Sequence, residues 1–198
     1  MKQIEVPIPD GKSGDWEVST FPVSKNAANM FNLRQMINFT HRDIVPGDYK
    51  RLTWKGSTIM SNTPAEVNDH WEFFSKAKGH VLINGLGLGV CIIALLERPE
   101  VESITVIEIS EDVIKLVAPT FEKYPQVTII HADAYEWKPP KGMRYDYVWH
   151  DIWPAICTDN IEGMKKLHYK YGRRTNWQRS WCRKECEQRR RRDSVWDW

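Results

Sequence analysis

Val81-Leu82-Ile83-Asn84-Gly85-Leu86-Gly87-Leu88-Gly89 is the stretch that decides the fold. A short apolar run ends in three glycines spaced two apart, and Val90 to Leu96 continues in helical style. Strand, glycine turn, helix is the order found in nucleotide-binding α/β folds. Glycine at such a turn lets the backbone approach a ligand where a Cβ would collide or forbid the needed φ. A glycine-rich turn alone also serves as a plain loop. This one gains weight from the segments on its C-terminal side.

Downstream, strands and helices alternate. Gly89–Glu97 reads as the helix after the first strand, Ser103–Ile109 as a second strand, Val127–His131 as a third and Tyr145–His150 as a fourth. Ser110 is placed to cap the intervening helix, with Glu111 and Asp112 near its positive end. Such alternation predicts an α/β, Rossmann-like, mostly parallel twisted sheet with helices on both faces and right-handed crossovers.

Upstream, residues 1–48 read as irregular, broken by Pro7, Pro9, Gly11, Gly14, Pro22, Pro46 and Gly47. Within them Met30, Leu33 and Ile37 predict a helix over Ala27–Phe39. Tyr49–Thr53 and Ser57–Met60 flank Trp54-Lys55-Gly56 as a β-hairpin. Thr63-Pro64-Ala65-Glu66 forms a capping box for a helix through Trp71 and Phe74 that stops near Gly79. After the fourth strand the pattern stops. Asp159 to Asp193 holds no β-rich run, and Met164, Leu167 and Tyr171, then Trp177 and Trp181, predict one or two helices. The expected division is an N-terminal hairpin and helical extension at 1–78, a Rossmann-like core at 79–158 and a basic helical segment at 159–198, in one compact domain. The fourth strand would then be an edge, covered by the C-terminal helices in a monomer or paired in a homodimer.

The chain has 198 residues, 41% hydrophobic, enough for one domain with a core. No apolar run reaches membrane-spanning length and the start is unlike a signal peptide, so a cytoplasmic protein is expected. Cys91, Cys157, Cys182 and Cys186 lack paired metal spacing, and no metal is expected, although Cys182 and Cys186 fit one helical face. Net charge is +2, yet Lys165 to Arg192 holds twelve Lys or Arg against two Glu. That run reads first as a solvated helical face, with nucleic acid or an acidic partner as the other reading.

Ligands of open α/β sheets sit beyond the carboxyl ends of the strands. Those ends carry Gly85, Gly87 and Gly89; Glu108, nineteen residues past Gly89; Asp133 followed by Ala134; and Asp151 followed by Ile152-Trp153-Pro154. Trp149 and Trp153 are expected to flank the site. An acid at position 108 suits a ribose diol, and a carboxylate beside free amides suits an adenine edge. Taken singly, Glu108 can be part of a helix cap, Asp133 a turn former and Asp151 a loop cap. Together, behind a three-glycine turn, they predict a ligand site.

These motifs resemble the class I S-adenosylmethionine-dependent methyltransferase superfamily, most closely its spermidine-synthase-like branch, over residues 80–154. Gly85-Leu86-Gly87-Leu88-Gly89 is similar to the first motif, Val106-Ile107-Glu108-Ile109 to the acidic second strand, His131-Ala132-Asp133-Ala134 to the adenine loop, and Tyr145 to Asp151 to the fourth strand and its terminal acid. The resemblance implies S-adenosylmethionine, or its decarboxylated form, held by Gly85, Leu86, Gly87, Gly89, Glu108, Ile109, Asp133, Ala134 and Asp151. Three departures stand out. Ile83 replaces the acid many methyltransferases carry, as spermidine synthases often do. The Tyr-His-Glu segment of those synthases is reduced to an acid in Ser61–Glu66. The last strands of the seven-stranded family sheet are missing.

Transfer from a sulfonium is an in-line displacement needing a positioned nucleophile and a base. Asp151 is the expected base or amine-positioning residue, and Trp153 an aromatic wall offering a cation–π contact. His150, adjacent on a strand, points the other way and is expected to be packed. Three functions remain open: a methyltransferase of unknown acceptor, an aminopropyltransferase, and a non-catalytic cofactor-binding scaffold with a basic, Trp-rich tail for a partner. A dinucleotide dehydrogenase is a weaker match, since position 90 is Val, and no phosphate-gripping Gly-Lys-Ser/Thr occurs.

Overall fold

A computed structural model describes residues 4–37 and 42–193. Its centre is a five-stranded parallel sheet in the order β7-β6-β5-β8-β9, built from β5 (Gly79–Asn84), β6 (Val101–Glu108), β7 (Val127–His131), β8 (Tyr145–His150) and β9 (Thr175–Ser180). Helix α4 (Val90–Leu96) and helix α5 (Glu111–Val117) lie in the connections β5 to β6 and β6 to β7, while α6 (Asn160–Tyr171) joins β8 to β9. The chain thus runs outward from β5 in one direction and returns to its other side. That reversal, between β5 and β8, opens the crevice in which such sheets bind ligands.

Strand alternation explains the two apolar layers. Val81, Ile83, Ile104 and Val106 meet Ile92, Leu95, Val113 and Val117 on one face. Leu82, Ile107 and Val148 meet Leu167 and Tyr171 of α6 on the other, where Tyr145 at the start of β8 also packs. Each of these fully buried aliphatic chains contributes on the order of 1.5–3 kcal/mol. Ser110 caps α5 as expected, its Oγ accepting from the Val113 N–H at 3.3 Å.

Strand β9 overturns the expectation of a purely helical segment after residue 159. Thr-Asn-Trp-Gln-Arg-Ser has no apolar run because β9 is an edge strand with one half-buried aromatic. That residue, Trp177, belongs to a strand and not to a helical face with Trp181. It lies 6.4 Å from Trp149 and 6.3 Å from Phe73, with rings within 10° of parallel. β9, and not a helix or a second copy, covers the edge of β8. The segment ends in α7 (Arg183–Asp193), and residues 194–198 of the expected C-terminal segment lie outside the described ones.

The N-terminus is also more ordered than its breakers suggest. β1 (Gly11–Ser13), β2 (Trp16–Val23), β3 (Gly47–Trp54) and β4 (Ser57–Ser61) form a four-stranded antiparallel sheet that includes the expected hairpin. β1 pairs only with Trp16–Val18, so Pro22 has no neighbour on that side and its missing N–H costs no ladder bond. Helix α1 (Lys25–Ile37) forms where predicted; Asn38 and Phe39 lie outside the described residues. Its Met30, Leu33 and Ile37 are exposed, while Ala28 is buried and the Asn32 amide bonds both backbone groups of Ile44. The apolar spacing therefore marks the outward face.

The capping-box helix is two helices, α2 (Pro64–Asp69) and α3 (Trp71–Lys76), separated at His70. Thr63 makes no side-chain cap, and Glu66 instead accepts from the Ser61 N–H at 2.6 Å and its hydroxyl at 2.7 Å. The two helices expose Trp71 and bury Phe73 and Phe74.

Candidate functional site

A cavity of about 450 Å³ lies between the carboxyl ends of the parallel strands and the antiparallel sheet. The volume is within the range of small-molecule sites. Gly85, Gly87, Glu108, Ile109, Asp133, Ala134, Asp151 and Trp153 all line it, so four successive strand ends converge on one space. Leu86 and Gly89 do not line it. Gly89, at φ +68°, has a packing role: a Cβ there would stand 2.5 Å from the Phe121 ring. Gly85, at φ +102°, has no room either, since a Cβ would overlap the Asp151 carbonyl oxygen.

Glu108 is 9% exposed and clamps the glycine turn. One carboxylate oxygen accepts from the Leu86 N–H at 2.8 Å and the other from the Ser110 N–H at 2.8 Å. Each oxygen keeps a further acceptor position for a ligand hydroxyl. Asp133 behaves similarly: Oδ1 accepts from the Tyr135 N–H at 2.7 Å. The structural role of these two acids therefore leaves acceptor positions open toward the cavity.

Asp151 is the electrostatic outlier. Burial pushes its carboxyl up to about 7, and the nearby carboxylates of Glu66, Asp69 and Glu108 push in the same direction. His70 Nε2 lies 3.8 Å from Asp151 Oδ2, too far for a hydrogen bond. Burial takes His70 down to about 4, so the neighbour of Asp151 is a neutral imidazole. His70, Cys91 and Asp151 present ligand atoms within 4.8 Å of one another, the only set of metal-ligand type among the described residues. Burial holds the Cys91 thiol well above its usual range, with Asp151 adding to the shift.

His150 is fully buried and contacts Asn84 and Gln178 at 2.7 and 3.2 Å through its two ring nitrogens. As strand alternation predicts, it is not part of the cavity wall. Trp149, expected to flank the site, is instead in the core, 5.1 Å from Phe73 in a near-parallel stack. Cys182 and Cys186 do not share a helical face: Cys182 precedes α7 at φ +47°, and both thiols are buried and unpaired.

Several wall residues escaped sequence reasoning: Trp16, Trp54 and Met60 of the antiparallel sheet, His70 between two helices, and Trp181 after β9. Met60 reaches the glycine turn, its Sδ accepting from the Leu88 N–H at 3.4 Å. The rings of Trp16 and Trp54 lie 6.3 Å apart. The one available signal was the Trp54-Lys55-Gly56 turn, where a large indole sits at a loop tip.

The chain matches no known family profile and no curated protein. It is similar to parts of solved methyltransferase structures. The 23S rRNA methyltransferase ErmE shares 14% identity at a TM-score of 0.43, over 55% of this chain and 41% of that one. The N-terminal domain of EvdMO1 with SAH bound shares 19% at 0.41, over 55% and 44%. The CcbJ methyltransferase from Streptomyces caelestis shares 19% at 0.39, over 52% and 43%. The chain thus spans less than half of each. Likenesses at such scores do not bear on what this chain binds.

Proposed function

We propose that this protein transfers a methyl group from S-adenosylmethionine to an acceptor bound under the antiparallel sheet. The observation that carries the reading is the convergence of Gly85, Gly87, Glu108, Asp133 and Asp151 on one cavity. Glu108 would take the ribose hydroxyls on its two remaining acceptor positions and Asp133 the adenine edge. Backbone at Gly85 and Gly87, bare of Cβ, would face the amino-acid end. The sulfonium supplies an activated methyl group. The acceptor's lone pair would take the methyl carbon as the carbon–sulfur electrons stay with a neutral thioether, and Asp151 would receive the acceptor's proton. A carboxyl poised near 7 suits that duty at neutral pH.

Aminopropyl transfer has the weaker support: Asp151 lines the cavity, but the other acid expected to hold the amine does not. Glu66, the surviving acid of the segment that holds the amine in spermidine synthases, is turned onto Ser61 and does not line the cavity. The scaffold reading rested on the absent second half of the sheet; β9 supplies one strand of that half, and Trp16, Trp54 and Met60 wall the cavity.

Isothermal titration with S-adenosylmethionine tests the reading. Binding is expected for the wild-type chain, with a loss of at least about tenfold in Glu108→Ala and in Asp133→Ala, the scale of one charge-assisted hydrogen bond. Absence of heat at high ligand concentration would discard it.

A further inference from the structure

We infer that the acceptor is a base of a single-stranded nucleic acid, with its backbone held by the exposed cations of α7 and the base inside the indole-lined cavity. The inference rests on the methyltransferase reading of the cavity.

Helix α7 starts beside the cavity and is tied near its far end to the loop that follows Trp153 and Pro154. Trp181, which lines the cavity, stands just before its first turn. Near its other end the Arg189 guanidinium donates to the Ile156 carbonyl at 2.6 Å, three residues past Trp153. Between them Cys186 packs on Ile161 and Met164 of α6. Lys184, Arg189, Arg190 and Arg192 are exposed along this helix. Of its two glutamates, Glu185 lies in the first turn and Glu187 is bound by Arg183 at 2.9 Å, so the cations outnumber the free acids. A chain of phosphates matches such a helix.

The interior has the opposite character. Its wall holds no Lys or Arg, carries Glu108, Asp133 and Asp151, and presents the indoles of Trp16, Trp54, Trp153 and Trp181. Phosphate is repelled there, whereas a flat, uncharged base stacks on indole at a gain of roughly 1–3 kcal/mol. Of a polynucleotide, only the base fits inside and only the backbone fits the helix. A base paired in a duplex cannot enter such a cavity, so the strand is single or locally opened. A lipid surface fits less well, because Arg-Lys-Glu-Cys-Glu-Gln-Arg-Arg-Arg-Arg-Asp offers no exposed apolar side chain for insertion. An acidic protein leaves the four indoles without a use.

The test is fluorescence anisotropy with short mixed-sequence RNA and DNA strands, from about 50 mM to about 200 mM salt. Binding is expected to fall linearly on a log–log plot. Lys184→Gln/Arg190→Gln/Arg192→Gln should weaken it at least tenfold and cut the slope by about 2, three lost charges at roughly 0.7 each. An intact strand should quench tryptophan emission more than an abasic strand of equal charge. The inference is overturned if no strand binds, if binding ignores salt, if the abasic strand quenches equally, or if polyglutamate or phosphatidylserine vesicles compete as well as RNA does. Titration of S-adenosylmethionine into the same preparation separates the two proposals: retained cofactor binding without strand binding removes this one alone, and strand binding without cofactor binding removes the methyltransferase reading on which it rests.

Discussion

The two sheets meet across one cavity and contribute to it in opposite ways. The parallel sheet supplies backbone turns and carboxylates at fixed strand ends, positioned by a core buried on both faces. The antiparallel sheet supplies side chains, chiefly Trp16, Trp54 and Met60, from strands with only a few buried positions such as Val18, Tyr49 and Leu52. Charged, geometrically exacting parts of a site belong on the rigid half, and adaptable apolar wall on the thinner one. On the proposed reading, cofactor recognition falls to the first and acceptor fit to the second.

The sharpest way to break that division is Asp151→Asn. Turnover should fall at least about a hundredfold, the scale of a lost general base, with cofactor affinity changed less than about threefold. Wild-type rate should rise with pH through about 7 as the carboxyl ionises, and the variant should lack that limb. Stability runs the other way. The folded carboxyl is raised from 3.8 to about 7, so the fold favours the protonated form. That contribution is complete below about 3.8 and is lost as pH rises from there through about 7. Urea unfolding should accordingly show a larger stability gain from Asp151→Asn at pH 8 than at pH 5.

Gly85→Ala probes the junction of the halves. At φ +102° with the Asp151 carbonyl in the way, it should cost about 3 kcal/mol in denaturant unfolding and remove cofactor binding. Trp177→Ala strips the stack on Phe73 and Trp149. Because Trp177 is only half-buried, about 2 kcal/mol is expected, with cofactor affinity unchanged by calorimetry. The smallest effect sharpens the comparison from the other side. Trp54→Ala should alter cofactor affinity less than about threefold, against about tenfold for Glu108→Ala. Equal losses would mean that the antiparallel sheet also holds the cofactor.

The legible part of the sequence reflects local physics. Val81–Asn84 and Tyr145–His150 are strands because central parallel strands covered on both faces favour near-continuous apolar runs, while Val127–His131, at the edge, still carries Val127, Ile129 and Ile130 half-buried. The acids at their ends were visible as soon as the strands were. β9 was not legible, since an edge strand with one aromatic need carry no such run. The outward Met30, Leu33 and Ile37 of α1 misled for the converse reason: spacing reports a common face and not which way that face points.

By itself the amino-acid order determined the parallel sheet, its glycine turn and the row of acids behind it, because hydrophobic period and turn chemistry act within a few residues. Only the tertiary structure decided that Asp151 is poised near 7, that His70 and Met60 reach the cavity, and that Trp149 is core while Trp181 is wall. Those properties depend on burial and on neighbours far apart along the chain, and a carboxyl has no environment until the groups around it have been brought together.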